Sequence, residues 1–121
     1  MYWEDFVAGV AYDSAARTIT EADIVSFAGL SGDFNPLHTD AEFAQQSIFG
    51  QRIAHGLLGL AIASGLQMRG AVNQSTVLAF LGINQWTFRA PILIGDTVRV
   101  RMTVLNTRET RKPDRGIVTQ Q

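Results

Sequence analysis

The stretch from Gly32 to Gly56 constrains this chain of 121 residues more than any other. It begins Gly32-Asp33-Phe34-Asn35-Pro36-Leu37-His38 and runs through polar and aromatic residues. It closes on Ala54-His55-Gly56, at the head of a long apolar segment. A carboxylate, an amide and an imidazole fall within six consecutive residues around a proline, and both histidines of the chain, His38 and His55, lie in the window. Core segments show apolar residues at a period of 2 or 3.6. This window shows neither, so it reads as a site rather than as packing. The plain alternative is turn chemistry, in which Asp and Asn bond their own backbone.

The rest of the composition narrows the chemistry by exclusion. The length suits one domain with a real core. With 46 % hydrophobic and 17 % charged residues the chain is slightly apolar, and some of that surface is expected to be buried in an oligomer. The absence of cysteine excludes a disulfide framework, a thiolate nucleophile and a cysteine metal site, and fits a cytoplasmic protein. A net charge of −1 gives no case for nucleic acid or an anionic membrane. Eight of the eleven acids lie at or before Glu42, and six of the ten basic residues at or after Arg99, which reads as solvated strand faces. No basic leader opens the chain. The most apolar run, Leu57 to Leu66, is far shorter than the ~20 residues of a membrane span.

Periodicity supplies the elements. A short strand is expected near Val10 to Tyr12. Thr20 with Asp23 three residues on forms a capping box, followed by Ile24, Phe27 and Ala28 at helical spacing and by Gly29 and Gly32 as terminators. Asp33 to Leu37 is expected to be loop, because proline lacks an amide donor and forces Asn35 out of helical geometry. Thr39-Asp40-Ala41-Glu42 is a second capping box, opening a short helix through Phe43 and Ala44. The longest helix is expected from Gly56 to about Arg69, apolar nearly all round and therefore wrapped by other structure, with Gly70 as its stop.

The period then changes to two. Val77, Ala79, Leu81 and Ile83 alternate with polar or small residues, and the parity flips to Trp86, Phe88 and Ala90, which predicts a strand with a bulge near Asn84 or Gln85. A turn follows over Pro91 to Asp96. The clearest strand carries Val98, Val100, Met102 and Val104 on one face. Asp114-Arg115-Gly116 is a turn, and Ile117 to Gln121 begins a strand that stops abruptly, as in a sequence cut short. The architecture expected is one buried helix wrapped by an antiparallel sheet, with two such sheets paired edge to edge in a symmetric dimer.

The run from Gly32 to His38, followed after five residues by Ala44, resembles the hydratase motif of the MaoC-like family, which includes the (R)-specific enoyl-CoA hydratases. The resemblance continues through Ala54-His55-Gly56, the small-residue helix, Phe88-Arg89-Ala90-Pro91 and Gly95-Asp96, and so covers most of residues 20 to 105. It implies an α+β fold, a single hot-dog domain over residues 1–121, with short hydratase-type helices before the central helix and a sheet usually completed beyond the point where this chain ends. It implies hydration of trans-2-enoyl thioesters, or the reverse dehydration, on coenzyme A or acyl-carrier protein, by a homodimer with no further cofactor and no metal. It places the catalytic pair at Asp33 and His38, an oxyanion donor at the Gly56 N–H, and supporting roles at Asn35 and Ser64.

Those residue types suit the reaction. Water is a weak nucleophile, and a carboxylate and an imidazole gripping one water can take a proton and return one to the 2-carbon. The charge pushed onto the thioester oxygen suits an amide at a helix N-terminus, which has no intrahelical partner. Plainer roles stand beside these: His38 caps the following helix, His55 bonds backbone at the helix start or serves as a third site group, Ser64 bonds a carbonyl one turn back, and Arg89 is a surface strand residue. Two other functions remain open, a hot-dog acyl-CoA thioesterase and a non-catalytic acyl-thioester binding subunit. The lack of an acid between Gly56 and Arg69 argues against the first, and the presence of both Asp33 and His38 against the second.

Overall fold

The strand most legible in the sequence is the spine of one half of the fold. In the computed structural model, which describes residues 1–70 and 75–121, β1 (Ala11–Asp13) pairs antiparallel with β4 (Arg101–Glu109), and β4 pairs antiparallel with β5 (Gly116–Gln120). These strands belong to a compact unit made of Met1–Ala15, Gly65–Gly82 and Arg99–Gln121. The alternation of faces holds, with Met102 and Val104 buried, Val100 half-buried and Arg99 and Arg101 exposed, but the single strand expected from Val98 to Val104 is interrupted at Arg99 and Val100. Phe6, Met102 and Val104 form the core of this unit, with Tyr12, Val100 and Val118 packed around them. Asp13 lies opposite Arg101 in register, and the two side chains make paired 2.8 Å hydrogen bonds. The pairing of β4 with β5 slips between Val104 and Asn106, a bulge at Leu105.

The ends of this unit are held by close contacts. A 3-10 turn, Trp3–Asp5, lays the Trp3 indole so tightly on Gly116 that a Cβ at position 116 has no room. Gln67, near the C-terminal end of the long helix, donates its amide to the Gln120 side chain and approaches Met102 Sδ at 3.1 Å.

The second unit comprises Ala16–Ser64 and Ile83–Val98. β2 (Arg17–Thr18) pairs antiparallel with β3 (Thr97–Val98). Thr20 then starts α1 (Glu21–Ser31) with the expected capping box: the Thr20 N–H donates to Asp23 Oδ2 at 2.9 Å, and the Asp23 N–H donates back to Thr20 Oγ1 at 3.3 Å. The Thr20 amide, aided by its hydroxyl and by Arg17, lowers the Asp23 carboxyl below its usual range against a partial loss of hydration. A depressed carboxylate stabilises the fold at neutral pH, and that contribution is lost as pH falls through the lowered value. Ile19, just before the helix, and Ile24 and Ala28 on its inner face are fully buried. Gly29 lies inside α1 and does not end it. Gly32 does, in the left-handed conformation at φ 78°, which a side chain rarely adopts.

Two local expectations are corrected. Asp33 to Leu37 is not all loop, because Pro36 opens the short helix α2 (Pro36–Thr39). Proline at the first helical position loses only an N–H that has no partner there, and its fixed φ suits the helix. The next helix, α3 (Ala41–Gln45), is capped by Asp40 and not by Thr39: Asp40 Oδ1 accepts from the Phe43 N–H at 2.9 Å, while the Thr39 hydroxyl bonds back to the Phe34 and Asn35 carbonyls.

α4 spans Gly56–Arg69 as expected. Leu58, Ile62 and Leu66, spaced four apart, form its buried stripe, while Leu57 on another side is 63 % exposed. The expected strand and bulge between Val77 and Ala90 are absent: that segment pairs with no other strand among the described residues, and Leu78, Phe80, Leu81, Trp86 and Phe88 are exposed. Alternation supplies faces for a strand, but a strand also needs a neighbour for its backbone. The turn before β3 is as read, with Gly95 at φ 94° and Asp96 Oδ2 accepting from the Leu93 N–H at 2.8 Å.

The Trp3–Gly116 contact is open to test. Gly116→Ala is expected to cost about 1–3 kcal/mol, because the added methyl must displace the indole. Urea unfolding followed by tryptophan fluorescence measures it, and an unmoved midpoint would show that the packing is dispensable.

Candidate active site

The local geometry of residues 31 to 38 follows from short polar side chains bonding nearby backbone. Ser31 Oγ accepts from the Asp33 N–H at 3.1 Å, Asp33 Oδ1 accepts from the Asn35 N–H at 3.1 Å, and Asn35 Oδ1 accepts from the Leu37 N–H at 2.9 Å. Asn35 is thus the cap of α2, with the extended backbone (ψ 131°) that a following proline demands. The turn reading of this motif is realised in these three bonds. One carboxylate oxygen of Asp33 is occupied by the turn, and Asp33 is exposed.

The connection at residues 51–55 aims the imidazoles. Ile53 donates its N–H to the Leu37 carbonyl at 3.1 Å and bridges to Leu93, and Ala54 donates to the Ile92 carbonyl at 2.8 Å. So anchored, the Ile53 carbonyl lies 2.7 Å from His38 Nδ1. His55 is buried, 3 % exposed, with Nε2 2.9 Å from the Asp33 carbonyl. Its ring stacks on that of His38 with centroids 3.7 Å apart and planes 26° from parallel, and meets the Phe27 ring edgewise at 4.9 Å.

Asp33, His38 and His55 converge: each offers a carboxylate oxygen or ring nitrogen within 4.8 Å of the others'. No described hydrogen bond joins the Asp33 carboxylate to either ring. Two hydrogen bonds of ~2.8 Å meeting at a water oxygen span roughly 4.6 Å, so the spacing suits two groups sharing one water. A carboxylate and two imidazoles are also a metal-type donor set. An imidazole, however, binds a metal in its own ring plane at ~2.1 Å. Two nearly parallel rings 3.7 Å apart do not point at a common centre.

Gly56 is the first residue of α4, and no described hydrogen bond takes its N–H. A Cβ there would stand 2.8 Å from Cε1 and Cζ of Phe88, so the absence of a side chain admits the Phe88 ring. Ser64 is exposed on α4, and no described hydrogen bond links it to Asp33, Asn35 or His38, or to a carbonyl one turn back. Arg89 is exposed, in keeping with a surface position. Ile53, Phe27 and Phe88 shape the site without having been marked for that role by the sequence. A backbone carbonyl that orients an imidazole leaves no trace in residue type.

The chain has the α+β hot-dog fold, as its structural neighbours do. One of them, the MaoC-like dehydratase from Rhodospirillum rubrum, superposes with a TM-score of 0.83 at 32 % identity, covering 99 % of this chain and 82 % of that one. The sequence matches the MaoC like domain over residues 6–121, and the chain belongs to the MaoC-like family. It is 42 % identical over 110 residues to an (R)-specific enoyl-CoA hydratase of R. rubrum, covering 85 % of this chain and 69 % of that protein. It is 41 % identical over 102 residues to Protein MaoC of Klebsiella aerogenes, covering 84 % of this chain but 30 % of that longer protein.

The Asn35 cap carries its own test. Asn35→Ala is expected to lower stability by about 1 kcal/mol and Asn35→Asp much less, since Asp also caps. Equal losses in denaturant titrations of the two variants would remove the capping role.

Proposed function

We propose that this chain adds water across the 2,3 double bond of trans-2-enoyl thioesters to give (R)-3-hydroxyacyl thioesters, and catalyses the reverse dehydration. The observation that carries the reading is the convergence of the Asp33 carboxylate and the His38 imidazole within 4.8 Å, with no hydrogen bond between them. A carbonyl only accepts, so a bond from His38 Nδ1 to the Ile53 carbonyl puts the hydrogen on Nδ1 and leaves Nε2 bare. A water held between Nε2 and the carboxylate gives one proton to the pair as its oxygen bonds the 3-carbon. The pair returns one proton to the 2-carbon, so the protein ends as it began. The negative charge on the thioester oxygen meets the Gly56 N–H, where losing such a donor typically costs about 10²–10³ in rate. The similarity to a named (R)-specific enoyl-CoA hydratase supports the substrate class and the product hand.

The acyl group is carried as a coenzyme A or acyl-carrier-protein thioester, and the proposed chemistry is complete without a further cofactor. Asn35 supports the site by capping the helix that carries His38. Among the described residues no helix is long and apolar enough to cross a membrane. We assign the protein to the cytoplasm.

Asp33→Asn and His38→Ala are each expected to lower crotonyl-CoA hydration about 10²–10⁴-fold while the protein stays folded. Loss of enoyl absorbance measures this, with chiral analysis of the product. Undiminished turnover in either variant would overturn the assignment. Release of free CoA without hydrated product would favour a thioesterase, and binding without turnover at any chain length a non-catalytic subunit.

We further infer a homodimer. The segment from Val77 to Phe88 carries exposed Leu78, Phe80, Leu81 and Trp86 and has no strand partner among the described residues, an arrangement that invites pairing with a second copy. Light scattering should give about twice the chain mass of 13.2 kDa. A single-chain mass at micromolar concentration would refute it.

A further inference from the structure

His55 is buried, yet the proposed water chemistry gives it no proton to move. Its Nε2 lies 2.9 Å from the Asp33 carbonyl, an acceptor only, so Nε2 carries the hydrogen and Nδ1 is bare. That Nδ1 is buried with no hydrogen-bond partner among the described residues. An orphaned buried polar atom costs on the order of 1–3 kcal/mol, which an apolar ring of the same size would avoid. Simple core filling is therefore a poor account of an imidazole here. What the imidazole adds is one donor, aimed at the main chain of Asp33, and a ring face laid on His38.

The tether matters because of where Asp33 sits. It is exposed and directly follows Gly32 in the left-handed conformation at φ 78°. Its other described bonds, to Ser31 and Asn35, run within the same short segment and move with it. The bond from His55 comes from 22 residues away, on the strand-bridged connection before α4. Besides stacking on His38, the His55 ring meets Phe27 edgewise at 4.9 Å, so it is packed by two aromatic rings.

We propose that His55 is a positioning residue that fixes both members of the proposed catalytic pair at once: its Nε2–H holds the Asp33 peptide, and its ring face holds the His38 imidazole. The proposal rests on the hydratase reading for its kinetic consequence, but its structural content stands apart. Displacing either group by a fraction of an ångström weakens the shared grip on water, an effect expected in turnover more than in substrate binding.

Two variants separate the parts. His55→Phe keeps a buried ring against His38 but removes the donor, and His55→Gln restores an amide donor without the aromatic face. His55→Phe is expected to lower kcat for crotonyl-CoA hydration about 10- to 100-fold with KM within about twofold, and His55→Gln to recover part of that loss. Amide hydrogen exchange of Asp33 and Asn35 should quicken in His55→Phe and stay near wild type in His55→Gln. Imidazole nitrogen NMR of the unaltered protein should show His55 protonated on Nε2 and His38 on Nδ1. A wild type active on crotonyl-CoA with kcat unchanged in His55→Phe would overturn the positioning role alone. A wild type inactive on every enoyl thioester would sink the hydratase reading. In that case unchanged exchange in His55→Phe, or the opposite tautomers, would overturn the tether independently.

Discussion

Two backbone carbonyls set the chemistry of this site. Those of Asp33 and Ile53 each take the N–H of one imidazole, His55 and His38 respectively. Because a carbonyl cannot donate, each bond fixes a tautomer as well as a ring position. The rings then stack, so that the position of one constrains the other. Without the Ile53 carbonyl the bare nitrogen of His38 would have no fixed direction, and the water proposed to be shared with Asp33 would lose one of its two holders.

That arrangement depends on a short connection held from two sides. Ile53 bonds Leu37 on α2 and bridges to Leu93. The histidine on α2 and the histidine before α4 are thereby referred to the same piece of backbone. α2 itself is barely a helix, four residues long, and owes its place to the Asn35 cap and to a proline where proline is tolerated. A motif dense in turn-forming side chains thus yields a bracket held by its own hydrogen bonds. The side chains usually explained as turn chemistry are the ones that hold the proposed catalytic groups.

Much of this was legible in residue order. The capping box at Thr20 and Asp23, the span of α4 and the buried face of Met102 and Val104 are local or periodic facts, and they appear as read. Pro36 starts a helix where residue order alone suggests loop, because a proline that ends one helix pattern can equally start another, and only the cap formed by Asn35 decides which. Thr39 and Asp40 compete for the same capping role, and the winner is the side chain left free once Thr39 bonds back to Phe34 and Asn35. The alternation after Val77 gave no strand, because period two describes side-chain faces and says nothing about where a hydrogen-bonding neighbour lies.

By itself the sequence determined the cast of the candidate site. A carboxylate, an amide and two imidazoles sit in one window, ahead of a helix that starts with glycine. Tertiary structure decided their relations: that His55 is buried and bonded to Asp33 22 residues away, that the two rings stack, and that Gly56 makes room for Phe88. The physical reason is one of range. Caps, turns and periods act within a few residues and are written in side-chain type, whereas a contact to a distant carbonyl depends on backbone brought together by the whole fold.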